Sequence, residues 1–525
     1  MKRYSTIFLV AFTIACLAAQ TPIEKADYQK LGQVLFLLNN EYVDTVNGPQ
    51  LIDHALVHVL EEFDPHSVYI PADEVKQATD AIYGSFDGIG IQYQMLHDTL
   101  LVVQTIAGCP AEMVGIVMGD KIVEVDGTNI AGTKKSHTDI MKLLRGLKGS
   151  KVAVKVMRCG DPSLLDFVIT RGKIPIHSLD VAYMIAPATG YIKLNCFALN
   201  TMDEVHKALK PLQKQGMKQL VIDLQGNGGG IMPAAVDLAD EFLTANQLIV
   251  STRGYHQPLY TAKSTAKGSL KDIDVVVLVD EYSASASEIL AGALQDCDRG
   301  IIVGRRTFGK GLVQRQYPLV DGSAVRITVA RYYTPCGRNI QKPYGGGNEK
   351  YHRELAERLS HGELQHADSI NFPDSLKFKT LHLGRTVYGG GGIMPDVFVP
   401  LDTTYYTTYH RRLLAKGTIN NTVMEYLEHN RTALLKQYAN FEAFEKYYQV
   451  PQPLQQKLID NGEKVGTKYD AVQWHKAQQF IMLQMKAIMA NALYTTGDYF
   501  KIMNTQDPVL KRGLEVLKHY KDFLK

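Results

Sequence analysis

A chain of 525 residues is long enough for three or four domains. With 45% hydrophobic and 21% charged residues it has the composition of an ordinary globular protein. The net charge of +3, with no basic run and no basic–aromatic interleaving, excludes a nucleic-acid-binding surface of the usual kind.

The chain opens on a targeting segment. Lys2-Arg3 precede an apolar stretch, Ile7 to Leu17, and then Ala18-Ala19-Gln20. The stretch is too short for an ordinary membrane span and reads as a signal peptide over residues 1–19, cut near Ala18 or Ala19. Loss of Lys2 and Arg3 takes the net charge from +3 to +1. Thr13-Ile14-Ala15-Cys16 is a poor lipobox, which leaves a lipid anchor at Cys16 as the alternative. Residues 22–83 are expected to be helical, with periodic runs from Leu31 to Tyr42 and from Leu51 to Phe63.

Residues 84–173 change character. Gly88-Ile89-Gly90-Ile91 reads as a turn entering a strand, and further short strands fall at Leu100–Gln104, Lys121–Val125, Val152–Met157 and Phe167–Thr170. Ile140, Leu143 and Leu144 have helical spacing. From 174 to 400 strands and helices interleave in an α/β arrangement. Val221-Ile222-Asp223-Leu224 is a short apolar strand that runs into Gln225-Gly226-Asn227-Gly228-Gly229-Gly230. Three successive glycines let the backbone approach a ligand and aim N–H groups at it. No Lys-Ser/Thr follows, which argues against a phosphate loop. A flexible loop and half of an oxyanion hole both remain open on this pattern.

Ile273 to Asp280 is a Val-rich buried strand, and Ala286, Ile289, Leu290, Ala293 and Leu294 mark the helix after it. Ser285 therefore lies at a strand-to-helix junction, where the N–H of Ala286 is placed to stabilise developing negative charge. Taken alone, a Ser-rich turn before a helix is an N-cap. Twenty-five residues on, Lys310 sits in the turn Phe308-Gly309-Lys310-Gly311. A serine nucleophile needs a base, and lysine serves only when neutral. Bringing its pKa from roughly 10.4 to near 7 takes about 4 kcal/mol, which burial can supply. None of the 16 histidines sits in a triad or metal motif, and neither His-Glu-x-x-His nor Cys-x-x-Cys occurs. No metal or cofactor is implied.

Gly345 to Phe378 reads as a charged insertion, helical at Glu349–Leu359. Residues 401–525 read as helical, with spacing at Val423-Tyr426-Leu427 and Phe480-Leu483-Met485-Met489, and with Trp474 in a core. This region shows no chemistry, and covering the site, packing on the core and dimerising are equally compatible with it. Cys109, Cys159, Cys196, Cys297 and Cys336 remain after the leader; an odd number without close pairing argues against a disulfide framework, and most are expected to be small buried residues.

These motifs, in this order, resemble the C-terminal processing peptidases, also called tail-specific proteases, of the Ser-Lys type. The resemblance is carried by Ser283-Ala284-Ser285-Ala286-Ser287-Glu288-Ile289 through Asp296, by Thr307-Phe308-Gly309-Lys310-Gly311, and by Gln314. Asp64-Pro65-His66-Ser67, Phe86-Asp87-Gly88-Ile89-Gly90-Ile91, Gly119-Asp120, Tyr333-Thr334-Pro335 and Tyr388-Gly389-Gly390-Gly391-Gly392-Ile393 extend it over residues 30 to 400. Gln225 departs from it, because the family has arginine there.

The resemblance implies an α/β (α+β) multidomain protein: a crotonase-like protease core with an inserted PDZ domain and helical N- and C-terminal regions. It implies a 25-residue Ser–Lys spacing, which selects Ser285 over Ser283 and Ser287. Lys310 becomes the general base and Gln314 the residue that orients it. The oxyanion donors would be the N–H of Ala286 and that of Gly229 or Gly230, at ~3 kcal/mol each. Glu288 and Asp296 would support the site from behind or cap the helix. Residues 84–173 resemble a PDZ domain, in which Gly88, Ile89 and Gly90 capture a terminal carboxylate and the tail adds as a strand beside Ile91. An apolar pocket there implies substrates with a free, apolar C-terminus. Export implies a periplasmic or cell-envelope location, with self-association open. Hinging of the PDZ domain over the core would align the site by closure. Two alternatives are a catalytically silent PDZ-bearing scaffold and a crotonase-like acyl-CoA enzyme. Export argues against the second.

Overall fold

A computed structural model describes residues 22–524. The leader, with Cys16 and its cleavage positions, lies outside the described residues. The chain divides into two compact units at Glu62. In the first, helices Lys25–Glu41 and Gly48–Glu61 are joined by a short loop, and the Asn47 side chain caps the second by accepting from Gln50 N. Everything from Phe63 onward forms the second unit.

The centre of the second unit is a six-stranded sheet. Its order is Leu179–Ala186, Thr189–Leu194, Gln219–Asp223, Asp274–Val279, Ile301–Gly304 and Val397–Phe398. The first two strands form an antiparallel hairpin; every later neighbour is parallel. A parallel sheet is covered on both faces, so its strands are apolar on successive residues, as in Asp-Val-Val-Val-Leu-Val. Ile222, Val275, Val277 and Ile302 pack on one face with helices Thr201–Lys214, Met232–Asp240 and Ala286–Asp296. Val221, Val276, Leu278 and Val303 point to the other, where Val509, Leu510, Val516 and Leu517 of helix Pro508–Lys518 meet them. The C-terminal region therefore completes the core.

An antiparallel sheet stands beside this one. Its long strand, Ala324–Tyr333, pairs with Leu312–Pro318, with Val68–Ile70 and with Leu248–Arg253, the last of which also pairs with Tyr260–Lys263. The segment after residue 84 leaves the core and returns through the paired strands Ser85–Gly88 and Gly172–Pro175. Between them lies a small sheet in the order Ile91–Leu96, Thr99–Thr105, Lys121–Val125, Lys151–Met157 and Leu165–Thr170, with helix His137–Leu144 against it. One face of this sheet forms its own core around Val102, Ile122, Ile140 and Val154. On the other face, Leu96 and Leu101 join the cluster of the C-terminal helices. Lys121–Glu428 at 2.6 Å and His97–Glu425 at 2.8 Å bridge the same contact.

Helices Thr408–Ala415, Thr418–Gln437, Phe441–Tyr447, Gln452–Lys464, Ala471–Leu493 and Thr496–Asn504 form that C-terminal cluster, with Trp474 buried in it. The inserted segment carries helix Asn348–Ser360 and two short 3-10 turns. The cysteines correct one expectation. Only Cys109 and Cys297 are buried; Cys159 is exposed, and Cys196 and Cys336 are half-buried, all five as free thiols. No helix among the described residues is long and apolar enough to cross a membrane.

Candidate active site

The Val-rich strand Asp274–Val279 ends at the carboxyl edge of the sheet, and the chain turns sharply into helix Ala286–Asp296. The turning residue is Ser285, at φ 56° and ψ −111°. Only a turn over-determined by its surroundings holds a side-chain-bearing residue there. Those surroundings are specific. Ser283 and Ser287 are fully buried, and their hydroxyls are committed to the carbonyls of Leu224 (2.8 Å) and Asn227 (2.9 Å). Ser285 is half-buried, and its Oγ donates to no described group. Of the three serines, this is the one left available. Ser285 is also the N-cap residue of the helix, so the capping reading and the nucleophile reading fall on one residue.

Glu288 holds the site together. Its buried carboxylate accepts from Ser285 N at 2.8 Å and from Thr307 Oγ1 at 2.5 Å. It also accepts from Gly309 N at 2.7 Å and Lys310 N at 2.9 Å. Burial pushes the carboxyl above its ordinary range, and the hydrogen bonds from Thr307, Lys310, Gly309 and Ser285 oppose that push. One side chain thus fixes the elbow of Ser285 to the turn of Lys310.

Lys310 Nζ donates to Gln314 Oε1 at 3.0 Å, and no hydrogen bond joins it to Ser285 Oγ among the described residues. Burial holds the Lys310 amine below the usual lysine range, aided by the Arg326 charge and opposed by Asp64 and Glu288. Gln314 lies in strand Leu312–Pro318, where the pairing with Ala324–Tyr333 shifts register between Val313 and Gln314. Such irregularities re-aim a side chain. Its amide donates in turn to the His66 carbonyl. The His66 loop is folded by Asp64, whose carboxylate accepts from His66 N (2.8 Å), Ser67 N (2.9 Å), Ser67 Oγ (2.6 Å) and Thr328 Oγ1 (3.1 Å). The Asp64–Ser67 match from the sequence thereby acquires a place: it supports the residue that holds Lys310.

The glycine run lies against the elbow. A Cβ on Gly229 would meet Ala284 O at 2.5 Å, Ser285 Cβ at 2.8 Å and Ala286 N at 2.9 Å. Gly229 N is already committed to Asn227 Oδ1 at 2.8 Å. The N–H groups of Gly230 and Ala286 have no acceptor among the described residues. Gly230, at φ 149°, packs so closely on Phe197 that a Cβ would lie 1.9 Å from its carbonyl oxygen. Asn227, which sequence reasoning passed over, organises the loop by donating to Leu194 O and accepting from Ala284 N through its own carbonyl. Gln225 points away from the site, and its amide donates to Asp507 Oδ2 at 2.9 Å.

Asp296 does not join the site. It ends the eleven-residue helix that Ser285 caps, and there it pairs with buried Arg338 at 2.6 Å. At 1.5 Å per residue it lies about 15 Å from the elbow. In the small sheet, Ile89 and Gly90 have N–H groups that donate to no described acceptor, and Ile89 itself is buried. Ile91 begins the edge strand Ile91–Leu96, whose Tyr93 ring stacks on His137 at the start of helix His137–Leu144. Gly88 closes the strand paired to Gly172.

Comparison with known proteins gives three family matches. The model described as peptidase family S41 matches residues 188–347, a PDZ domain model matches 88–168, and a family of unknown function matches 409–495. The carboxy-terminal processing protease CtpB of Bacillus subtilis is 35% identical over 318 residues, 60% of this chain and 65% of that protein. The carboxy-terminal-processing protease of Bartonella bacilliformis is 35% identical over 326 residues, 61% of this chain and 74% of that protein. The chain therefore spans just under two thirds of the first relative and about three quarters of the second. A solved photosystem II D1 C-terminal processing protease is 32% identical, covering 60% of this chain and 84% of that one, with a TM-score of 0.35.

Proposed function

The chain belongs to the carboxy-terminal processing peptidases of family S41, with a PDZ domain, and from that premise we propose that it is an exported serine endopeptidase working through Ser285 and Lys310. The observation that carries this reading is the buried Glu288 carboxylate, which ties Ser285 N and Lys310 N to one anchor.

Neutral Lys310 takes the proton of Ser285 Oγ as that oxygen adds to the scissile carbonyl. The carbonyl oxygen becomes an oxyanion facing the N–H groups of Ala286 and Gly230. Collapse expels the leaving amine, which receives the proton from the Lys310 ammonium and leaves an acyl-Ser285 ester. A water then adds to the ester carbonyl with Lys310 again accepting a proton; collapse breaks the acyl–Oγ bond, Ser285 Oγ takes that proton back from the Lys310 ammonium, and the carboxylic acid departs. Burial supports the neutral amine that both halves require. Gln314 orients that amine in the resting arrangement by accepting its hydrogen bond.

The substrate is read at its tail. A free terminal carboxylate would be held on the N–H groups of Ile89 and Gly90, and the preceding residues would pair with the edge strand Ile91–Leu96. An apolar terminal side chain would suit the partly buried Ile91, Tyr93 and Leu143, which pack against the core that holds Ile89. The leader over residues 1–19 would send the protein to the periplasm or cell envelope.

The test is mass spectrometry of an unfolded protein with an apolar C-terminus, incubated with the parent chain, Ser285→Ala and Lys310→Ala, beside the same protein with an amidated tail. Cleavage by the parent alone, and only of the free tail, is expected. Cleavage of both tails removes the tail-binding role. Cleavage by Ser285→Ala or none by the parent overturns the peptidase assignment of these residues.

A further inference from the structure

The inserted helix Asn348–Ser360 has the composition of a solvent-facing helix, yet it buries a face. Tyr351 and Arg358, seven residues apart and thus on one side, are each 2% exposed. That side rests on the two loops that meet at Lys310.

Arg358 grips the Lys310 turn. Its guanidinium donates to Thr307 O at 2.8 Å and Phe308 O at 3.2 Å, and Nε donates to Glu354. Lys342 Nζ joins Glu354 at 3.0 Å and sits 4.0 Å from the Phe308 ring centre and 4.2 Å from that of Tyr351. Tyr351 grips the second loop. Its hydroxyl lies 2.7 Å from His66 Nε2 and its ring meets the His66 ring edge-on. His66 is the residue whose carbonyl holds Gln314, and Gln314 holds Lys310 Nζ.

Such a cluster is an expensive way to fill space, since apolar residues of the same volume would pack as well. Charge adds direction: a guanidinium fork fixes two successive carbonyls where a methylene would fix neither. We propose that the helix Asn348–Ser360 is a positioning element for Lys310, with Arg358 holding the turn that carries it and Tyr351 holding the His66–Gln314 support of its amine. This rests on the reading of Lys310 as the base. The groups facing that amine are Arg326 on the long antiparallel strand, Asp64 and His66 on the loop, and Glu288 on the elbow helix. Arg358 is not among the charges that act on that amine. It keeps the turn closed, and an open turn lets water reach the amine.

The test is the titration of Lys310, read two ways on the full chain. Competitive acetylation across pH, followed by mass spectrometry of the Lys310 peptide, gives the midpoint of the amine without turnover. The ascending limb of kcat/KM gives it during turnover. Arg358→Met should raise both midpoints by about one pH unit, with kcat reduced and KM within twofold of the parent. Tyr351→Phe, which keeps the ring and loses only the hydroxyl, should move them the same way by less. Unchanged midpoints in a folded Arg358→Met chain overturn the proposal; should that variant not fold, unchanged midpoints in Tyr351→Phe overturn it. A parent midpoint at the ordinary lysine value also overturns it. A shifted acetylation midpoint in chains that turn over no substrate upholds the positioning role and removes the peptidase reading instead.

Discussion

Two helices hold the Thr307–Lys310 turn, and they hold opposite ends of its peptide dipoles. Helix Ala286–Asp296 presents a carboxylate, Glu288, to the N–H groups of Gly309 and Lys310. Helix Asn348–Ser360 presents a guanidinium, Arg358, to the carbonyls of Thr307 and Phe308. The first helix is buried on every side and built into the core. The second is largely exposed and buries one charged side. One turn can therefore be fixed by an anion from the core and by a cation from an insertion, and the two holds need not be equal.

The sharpest way to break the comparison is to remove the anion. Glu288→Ala leaves three N–H donors, that of Gly309 buried, and the buried Thr307 hydroxyl without their acceptor, so stability should fall by about 3–5 kcal/mol. The readout is the urea midpoint, and turnover should be undetectable. Arg358→Met exposes only the carbonyl side of the turn, each carbonyl keeping a second lone pair for water, and should cost about 1–3 kcal/mol. Equal losses in the two variants would refute the ranking. Because both side chains hold one turn, the double variant should be less destabilised than the sum of the singles by about 1 kcal/mol or more. Strict additivity would mean that the two helices hold independent structures.

The next test concerns what the two holds achieve together. Lys310 sits below the ordinary lysine range mainly because it is buried. The base form is thus present at lower pH than for a free lysine, and activity should rise with pH through that lowered midpoint and vanish below it. His66, pushed down to about 4 chiefly by burial and by the Lys310 charge, stays neutral across that limb and should add no step of its own. A pH–rate profile from about 5 to 10 reads both statements. A limb centred on the ordinary lysine value, or a second step near 6.5, would contradict them.

The two helices also differ in how legible they were. Ser285, Glu288 and Lys310 lie in contiguous motifs, so the family resemblance reached them, and the Val-rich strand before the elbow placed Ser285 at a strand-to-helix junction. What spacing did not give was function by depth. Glu288 and Asp296 looked alike as acidic positions on one helix, and only the helix length separates an anchor at the first turn from an ion pair at the last. Tyr351 and Arg358 carried no signal, because a run of charges reads as a solvated face and the contact to His66 spans 285 residues of chain. The last helix shows the same limit. The stripe of Val509, Leu510, Val516 and Leu517 says that one side is buried, but not that Val276 and Leu278 of the core sheet lie against it.

The smallest effect belongs to a residue outside both grips. Gln225 stands where the family has arginine, beside the glycine run, yet its amide faces Asp507, the N-cap of helix Pro508–Lys518. Asp507 accepts from Val509 N and Leu510 N, and burial raises its pKa, with the Asp223 charge adding to the rise. Gln225→Arg would set a cation beside that carboxylate, and the adjoining cavity of about 390 Å³, lined by Lys193, Arg305 and Tyr405 among others, gives the longer side chain room. Asp507 in the folded state would then ionise at lower pH. The resulting stability should appear above the ordinary aspartate range and fade as pH falls through the folded-state value. Lys193 and Arg305 already supply positive charge to this cavity, so the gain should stay below about 1 kcal/mol. Turnover should be unchanged, because Gly229 N is held by Asn227 and the free N–H of Gly230 does not depend on Gln225. A tenfold change in kcat on Gln225→Arg would mean that the glycine run is held from the Asp507 side as well, and the Lys310 turn would lose its place as the part of the site that the surrounding helices control.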